Sequence, residues 1–470
     1  MNSLPASQPG LQTRINSRSM GLKLIVVSGL AILMMIPALF VNSLVEDRAQ
    51  RAKEVIQEVS GLVGGQQTFL GPTIAIPYTV PAQVTGGTAE HGIYLVCPAQ
   101  GDAEVTTRTE ERHRSLFKVP VFQADLRFNA SFDLTGVPLA APLGAVLDWS
   151  QAELVIGASD ARGALSDGTI TANGKTDTFI PTDNIEGLSL VSNNNQRLQL
   201  TLFGIMIPKL AQSNAKFQVT STLRFSGAQR IAVLAYGKTT HLSIVGDWPN
   251  PSFDGGFLPV KRTVSPLGFS GEWSVPFIAR GIRSEGRSLS FAGLDSTALG
   301  VSFVELADPY QSVDRSLKYV LLFMGLLFLS YFIFEVTTGK RVHPAQYVLV
   351  GVAQIIFYLL LLSFAERIGF DLGFLLAGAA TVILLAVNAG WIFVSRLQGL
   401  RAFVCFSLLY ALIYLLLRLE DNALLVGAIA SFLAVAAAMY FTRSIDWYSS
   451  LPSATSQTQA TNSVAPKDVP

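Results

Sequence analysis

Long apolar runs stand at both ends of the chain, and shorter alternating runs lie between them. The first, 24–41, has no charged residue in 18 positions, and five more follow at 319–336, 347–364, 372–394, 402–417 and 423–441. A helix needs roughly 20 mainly apolar residues to cross the hydrocarbon of a bilayer. The pattern therefore predicts six transmembrane helices, one N-terminal and five C-terminal. Five apolar runs in close succession argue against buried core helices of a soluble protein.

The first run is predicted to be an uncleaved anchor. Arg14, Arg18 and Lys23 precede it, and no acidic residue occurs before Glu46. The alternative is a cleaved signal peptide, whose apolar stretch usually covers about 7–15 residues and ends at a cleavage site with small residues. The sequence "PALFVNSLVED" offers no clear site of that kind.

Loop charges orient the predicted spans. The positive-inside rule counts Lys and Arg in short loops. The loops predicted to be cytoplasmic carry Lys340, Arg341, Arg396, Arg401 and Arg443, whereas those predicted outside carry Glu366, Arg367, Asp371, Arg418, Glu420 and Asp421. The bias is modest and consistent. It predicts that both termini are cytoplasmic and that the large central segment is periplasmic.

The central segment alternates apolar and polar residues. The stretches 124–133 and 216–227 have a period of two, which is typical of antiparallel strands with one buried face. Shorter strand candidates, at 74–78, 93–96, 154–156 and 301–304, are separated by Gly, Pro, Asn and Asp clusters. The pattern favours a mainly antiparallel sandwich or similar layered β domain. Before it, 46–63 has helical spacing and predicts an amphipathic helix that ends near Gly64.

These patterns divide the chain into five parts. They are a cytoplasmic tail at 1–23, the anchor helix at 24–45, the periplasmic β domain at 46–315, a five-helix bundle at 316–445, and a disordered cytoplasmic tail at 446–470.

The amino-acid composition argues against several classes of function. Half of the residues are hydrophobic and only 14% are charged, against roughly a quarter in soluble proteins. A formal net charge of +1 with no basic run offers no surface for nucleic acid. The two cysteines, Cys97 and Cys405, fall in different predicted environments, so no disulfide framework is expected.

Chemical motifs are scarce. The four histidines are not spaced as metal ligands, and the chain has no G-x-S-x-G elbow, P-loop or dinucleotide fingerprint. We therefore expect no enzyme activity, no cofactor and no metal.

Two segments of the β domain are candidate interaction sites. In "SDARG", at 159–163, Asp160 is predicted to cap backbone amides or to pair with Arg162. A structural turn is favoured over a ligand-facing loop. The second segment, 247–262, interleaves aromatic residues with proline and ends in a basic pair, and its candidate positions are Trp248, Pro251, Phe253, Phe257, Pro259 and Arg262. Packing against the sheet or the membrane surface is favoured over partner binding.

Ionisable residues in the predicted membrane region lie near helix ends. Glu335 is close to the loop with Lys340, Arg341 and His343, so it is expected to reach the interface. No charge falls at a predicted midplane, which weakens an ion-coupled transporter. The polar Gln354, Ser363 and Asn388 are interpreted as helix-to-helix hydrogen bonds.

The order of several motifs resembles the CreD family of bacterial inner-membrane proteins, also called cell envelope integrity proteins. The motifs are "GPTIAIPY" at 71–78, "SDARG" at 159–163, "WPNPSFDGGFLP" at 248–259, "DRSLKYVLLF" at 314–323, "FEVTTGKRVHPAQYVLVG" at 334–351, "FYLLLLSFAERIGF" at 357–370 and "TRSIDWY" at 442–448. Glu335, His343 and Gln346 lie in the longest. The resemblance implies an inner-membrane location in a Gram-negative bacterium and a role in envelope integrity under a sensor-kinase and response-regulator pair. It supplies no reaction or substrate.

The sequence thus predicts a non-enzymatic envelope protein. Its expected partners are the lipid bilayer and envelope components or other membrane and periplasmic proteins, and no oligomeric state is assigned. A transporter or lipid-handling protein that uses the bundle is the alternative, which a continuous polar cavity would support. An enzyme acting on an envelope polymer would need a carboxylate pair or nucleophile in a cleft of the outer domain.

Overall fold

The computed structural model describes a β-rich unit, 50–306, and a helical unit formed by 1–49 with 307–470. The residues described are 20–81, 88–114, 117–135, 137, 144–182, 189–191, 197–207, 216–287, 291, 293–303, 309–418 and 423–443. The predicted tail at 446–470 and most of the one at 1–23 lie outside them, as do Glu420 and Asp421.

The helices are α1 (Met20–Leu33), α2 (Met35–Leu62), α3 (Phe277–Arg280), α4 (Pro309–Lys318), α5 (Val320–Thr338), α6 (Pro344–Ile368), α7 (Phe370–Ile392), α8 (Arg396–Arg418) and α9 (Ala423–Thr442). Within the described residues, five helical segments are long and apolar enough to cross a membrane, namely Leu22–Leu62, Val320–Thr338, Pro344–Ile368, Phe370–Ile392 and Arg396–Arg418. The predicted anchor and four of the five later spans thus have a matching helix. In α9 the apolar stretch is shorter, Leu425–Ala437.

Aromatic side chains fill the interior of the helical unit. The ring of Tyr410 on α8 lies 4.8 Å from that of Phe323 on α5 and 5.0 Å from that of Phe357 on α6, measured between centroids. Tyr331 stacks on Phe406 at 5.3 Å. Offset and edge-to-face contacts of this kind add to the dispersion energy that holds membrane helices together. The helices are therefore joined by packed rings at their centre.

The β-rich unit contains twenty strands in the described residues. They are β1 (Gln67–Val80), β2 (Glu90–Val96), β3 (Gln100–Arg114), β4 (Phe117–Asp133), β5 (Val146–Leu147), β6 (Glu153–Ala158), β7 (Thr169–Ala172), β8 (Lys175–Thr178), β9 (Ile180–Pro181), β10 (Ser189–Val191), β11 (Arg197–Gln199), β12 (Thr201–Met206), β13 (Lys216–Ala228), β14 (Arg230–Leu234), β15 (Thr239–Gly246), β16 (Pro251–Gly255), β17 (Lys261–Ser265), β18 (Gly268–Val275), β19 (Glu285–Arg287) and β20 (Ala298–Phe303).

Two sheets contain most of these strands. The first has the order β16-β20-β14-β1-β6-β12-β9, with β2 and β5 on β1 and β19 on β2, and the second has the order β17-β18-β15-β3-β4-β13-β7-β8. The sheets are mixed: β1 with β14 and β3 with β15 are parallel, and the other described pairs are antiparallel. The alternation of apolar and polar residues could not predict the parallel pairs, because side chains alternate with a period of two in parallel and antiparallel strands alike.

The core lies between the two sheets. Phe69 of the first sheet meets Phe225 of the second with ring centroids 5.1 Å apart, and Phe303 meets Phe122 at 5.2 Å. Buried and less buried positions alternate along β13, as the sequence predicts for a strand with one covered face. The predicted sandwich is therefore the arrangement of this unit.

Candidate functional site

The "SDARG" segment forms the predicted turn. The carboxylate of Asp160 accepts a hydrogen bond from the Arg162 backbone N–H at 2.9 Å and pairs with the Arg162 guanidinium at 2.6 Å. These bonds hold the pKa of the Asp160 carboxyl below its usual value. Capping and ion pairing, the two alternatives predicted for Asp160, occur together.

The residues that follow α2 contact the same turn. The amide of Gln67, which is fully buried, donates to the carbonyl oxygens of Gly64 at 2.8 Å and Asp160 at 2.9 Å. A Cβ on Gly64, whose φ is +93°, would lie 2.6 Å from the Cα of Gly163. Ser226 completes the junction, because its hydroxyl donates to the Val63 carbonyl at 2.9 Å. These contacts favour the structural interpretation of the turn, and sequence reasoning missed Gln67 and Ser226 because their partners are distant in the chain.

The aromatic segment 247–262 is mostly packed into the β-rich unit. Trp248 is 7% exposed and its ring lies 6.2 Å from that of Phe303. Phe253 sits on β16, with its ring 6.1 Å from that of Phe269, and the Phe257 carbonyl accepts a hydrogen bond from the Trp273 indole at 3.0 Å. Packing against the sheet, the favoured interpretation, describes these three aromatic residues. Pro251 begins β16 at the edge of its sheet, where the missing N–H is tolerated.

From Leu258 to Leu267, at the end of this segment and just after it, several apolar side chains are exposed. Leu258 is 69% exposed, Val260 71% and Val264 52%, and Leu267 in the turn after β17 is 90% exposed. Arg262 is also exposed, on β17, and every residue of that strand is solvent-accessible. Pro259 lies between two of these apolar residues. We call the exposed residues Leu258, Val260, Arg262, Val264 and Leu267 the β17 edge.

Glu335 on α5 is a buried carboxylate of the helical unit. Its carboxylate, 1% exposed, accepts hydrogen bonds from the Val342 N–H and the Tyr347 hydroxyl, both at 3.0 Å. The third donor is the ammonium of Lys23 on α1, which also donates to the Val342 carbonyl at 2.8 Å. The structure thus places Glu335 inside the bundle, whereas the sequence predicted that it reaches the interface.

The Lys23–Glu335 pair joins α1 to the later helices through a buried charge. Its residues are 312 positions apart in the chain, and each was predicted only as a charge near a helix end. A usable signal did exist. Both residues fall at the predicted cytoplasmic ends of apolar runs, so they are at similar depth in the membrane.

The neighbouring candidates His343 and Gln346 lie outside this pair. His343 caps α6, because its Nδ1 accepts a hydrogen bond from the Ala345 N–H at 3.2 Å. Gln346 is half-buried, and its side-chain oxygen has no partner among the described residues. Lys340 instead donates to the Phe393 carbonyl after α7 at 2.5 Å. The cation that pairs with Glu335 in the described residues is therefore Lys23 of α1, and not one of the loop cations named from the sequence.

Three polar side chains were predicted to form hydrogen bonds between helices, and two of them do so. The Gln354 side-chain oxygen accepts from the Tyr410 hydroxyl at 2.7 Å, and the Asn388 amide donates to the Tyr331 hydroxyl at 3.4 Å. No side-chain hydrogen bond of Ser363 is found within the described part of the chain. Such bonds fix neighbouring helices in one register.

The described residues form neither a metal-ligand cluster nor a disulfide. They contain no group of three or more His, Cys, Asp or Glu side chains placed to hold a metal ion. Both cysteines are free thiols. Cys97 accepts a hydrogen bond from the buried Arg280 guanidinium at 3.2 Å, and burial raises the pKa of the Cys97 thiol.

Apolar helices and a two-sheet domain inserted after the first of them define a multi-pass membrane protein with a large β-rich domain. The family model described as "Inner membrane protein CreD" matches residues 19–448. The inner membrane protein CreD of Escherichia coli (strain K12) is 31% identical over 440 residues, which cover 90% of this chain and 93% of that protein. The chain belongs to the CreD family, and the resemblance predicted from its motifs is confirmed.

Proposed function

We propose that the chain supports the integrity of the cell envelope and its stress response by binding envelope components through the β-rich unit, without catalysing a reaction. In this proposal α9 is the sixth span, both termini are cytoplasmic and the β-rich unit is periplasmic. The loop charges support this orientation, since Lys and Arg are enriched in the loops assigned to the cytoplasm.

The observation that carries the proposal is the β17 edge. Four apolar side chains, each more than half exposed, lie together in sequence at the end of one sheet: Leu258, Val260, Val264 and Leu267. Scattered exposed apolar residues are ordinary, but a contiguous group on a domain surface is typical of an interaction site. Partner binding, the less favoured interpretation of this segment, thus moves from its buried aromatic residues to the exposed strand that follows.

Polar substitution of the edge tests the proposal. A full-length chain with Val260→Thr, Val264→Thr and Leu267→Ser is expected to reach wild-type amounts, since exposed substitutions usually change stability by less than about 0.5 kcal/mol each. It should fail to restore envelope function to a deletion strain, measured as survival under envelope stress. The matched control is Val146→Thr with Ile180→Thr, which removes apolar side chains of 64% and 62% exposure elsewhere on the unit. Full complementation by the edge variant would contradict the proposal.

A second function, lipid handling, is favoured by a groove between α7 and α8. Its volume is about 560 Å³, and its walls are mainly apolar, with Phe374, Leu375, Ala379, Val382, Phe403 and Ala411 among them. One end carries Asp371 and Tyr414, and Arg418 pairs with that Asp371. The apolar walls suit an acyl chain, while the guanidinium of Arg418 is already bonded to Asp371 and Tyr414.

Filling the groove distinguishes this function. In Ala379→Phe the new ring would occupy the groove, and we expect native mass spectrometry of the detergent-purified chain to show one fewer retained phospholipid. Leu376→Phe is the control, because Leu376 is 51% exposed and does not line the groove. Equal lipid retention in the two variants would reject a specific lipid site.

A further inference from the structure

The β17 edge has core-facing residues that the core does not cover. In an antiparallel pair, residues directly opposite each other lie on the same face of the sheet. Arg262 is opposite Gly271 and Val264 is opposite Phe269, and both β18 partners are buried. Nevertheless Val264 is 52% exposed and Arg262 is exposed as well. The sheet therefore extends one strand beyond its cover.

The cover ends at β16. Phe253 of that strand lies over β18, with its ring 6.1 Å from Phe269 and 5.9 Å from Trp273. Every residue of β17, in contrast, is exposed. The inner face at Val260, Arg262 and Val264 is thus apolar surface with one cation at its centre.

Three other edge strands, β8, β9 and β16, carry features that hinder strand pairing. At the opposite end of the same sheet, β8 carries an ion pair between Lys175 and Asp177 at 3.1 Å. In the first sheet, β9 has two residues, one of them Pro181, and β16 begins with Pro251. Charges, short length and proline are the usual means of preventing edge-to-edge pairing. The strand β17 pairs only with β18 in the described residues, and the features of this kind that it carries are the charges of Lys261 and Arg262.

The charges on β17 indicate which side chains a partner bound at this strand would carry. Lys261 is on the outer face and is compensated by Glu272 at 3.4 Å. Arg262 forms no ion pair with any described residue. A partner side chain opposite Arg262 on an added strand would lie within reach of the guanidinium, so a carboxylate there would form a charge-assisted pair. Apolar side chains two positions away on either side would cover Val260 and Val264.

We propose that β17 binds an extended protein segment by strand addition, and that the segment presents an acidic residue to Arg262 between two apolar residues opposite Val260 and Val264. This inference rests on the proposed function and names the kind of partner. Main-chain hydrogen bonds supply the attachment, and the alternate side chains supply the specificity, as in other cases of β-augmentation.

Synthetic peptides test the pattern on the full-length chain in detergent micelles. One probe alternates threonine and valine around a central glutamate, and the other has a central lysine. We expect the glutamate peptide to bind at least about tenfold more tightly, and Arg262→Glu to reverse that preference, because like charges at an interface are strongly unfavourable. Lys175→Glu on β8 is the control and should change neither affinity. N-methylation of the amides that face β17 should abolish binding.

Each other outcome counts against the inference. Equal binding of both peptides, or a preference that Arg262→Glu leaves unchanged, would overturn the acidic specificity while the proposed function stands on its complementation test. Two measurements examine other occupants. A fluorophore on Leu267→Cys in liposomes, in a chain with Cys405→Ser, would be quenched by brominated phosphatidylglycerol if the edge enters the bilayer. A dimer dissociated by the Val260, Val264 and Leu267 substitutions would identify a second copy as the occupant. Either result would replace the proposed partner.

Discussion

Glu335→Ala is expected to lower the free energy of unfolding of the helical unit by about 3–5 kcal/mol. The substitution leaves the Lys23 ammonium, which is 15% exposed, beside the carbonyl of Val342 without its carboxylate. It also removes the acceptor of the Val342 N–H and the Tyr347 hydroxyl. Thermal unfolding of the purified chain in detergent, followed by loss of the monodisperse species, should show a clear decrease in midpoint.

The matching double variant separates charge from packing. Lys23→Met with Glu335→Gln removes both charges and keeps a side-chain oxygen for one of the two remaining donors, so it should recover much of the lost stability. Lys23→Met alone should be nearly as damaging as Glu335→Ala, because a buried carboxylate then remains uncompensated. Single variants that unfold at the wild-type temperature would contradict a structural role for this pair.

Trp248→Ala is expected to destabilise the β-rich unit by about 3–5 kcal/mol. The indole is 7% exposed and packs edge to face on Phe303, so its removal leaves a cavity beside the core. For a unit of this size the unfolding midpoint should fall by about 10 °C. Calorimetry of the full-length chain in detergent measures the transition.

Trp248→Phe is the control, since it retains an aromatic ring and should cost considerably less. The comparison also bears on function. If Trp248→Ala abolishes envelope function and Trp248→Phe preserves it, lost folding explains the effect and a direct contact is unnecessary. A functional loss in Trp248→Phe with an unchanged unfolding midpoint would instead return Trp248 to the binding surface.

Much of the fold could be predicted because its patterns are local. The 24–41 run and the four later runs matched by helices needed only hydropathy, and the alternation along 216–227 identified β13. The Asp160 turn is local as well, since its capping partner Arg162 is two residues away. Sheet order, the parallel pairs and the cover of each edge involve distant segments, so none of them is encoded in a short window.

The candidate sites divide along the same line. The segment 247–262 combines aromatic rings, prolines and a basic end in one sequence, but only the packing separates buried Trp248 from exposed Val260. Likewise, Glu335 was recognised as an unusual residue, while its partner Lys23 required the folded bundle.

By itself the sequence determined that this is a membrane protein with apolar helices at both ends and a β domain between them, because hydrophobic length and period act over a few residues. The CreD motifs added its family. Tertiary structure decided what its charged and aromatic residues do, since burial depends on which distant element covers them. Lys23 pairs with Glu335, which is 312 positions away in the chain. The strand β16 packs over β18 but leaves β17 exposed. That last difference is what leaves Arg262 and its apolar neighbours open to a partner.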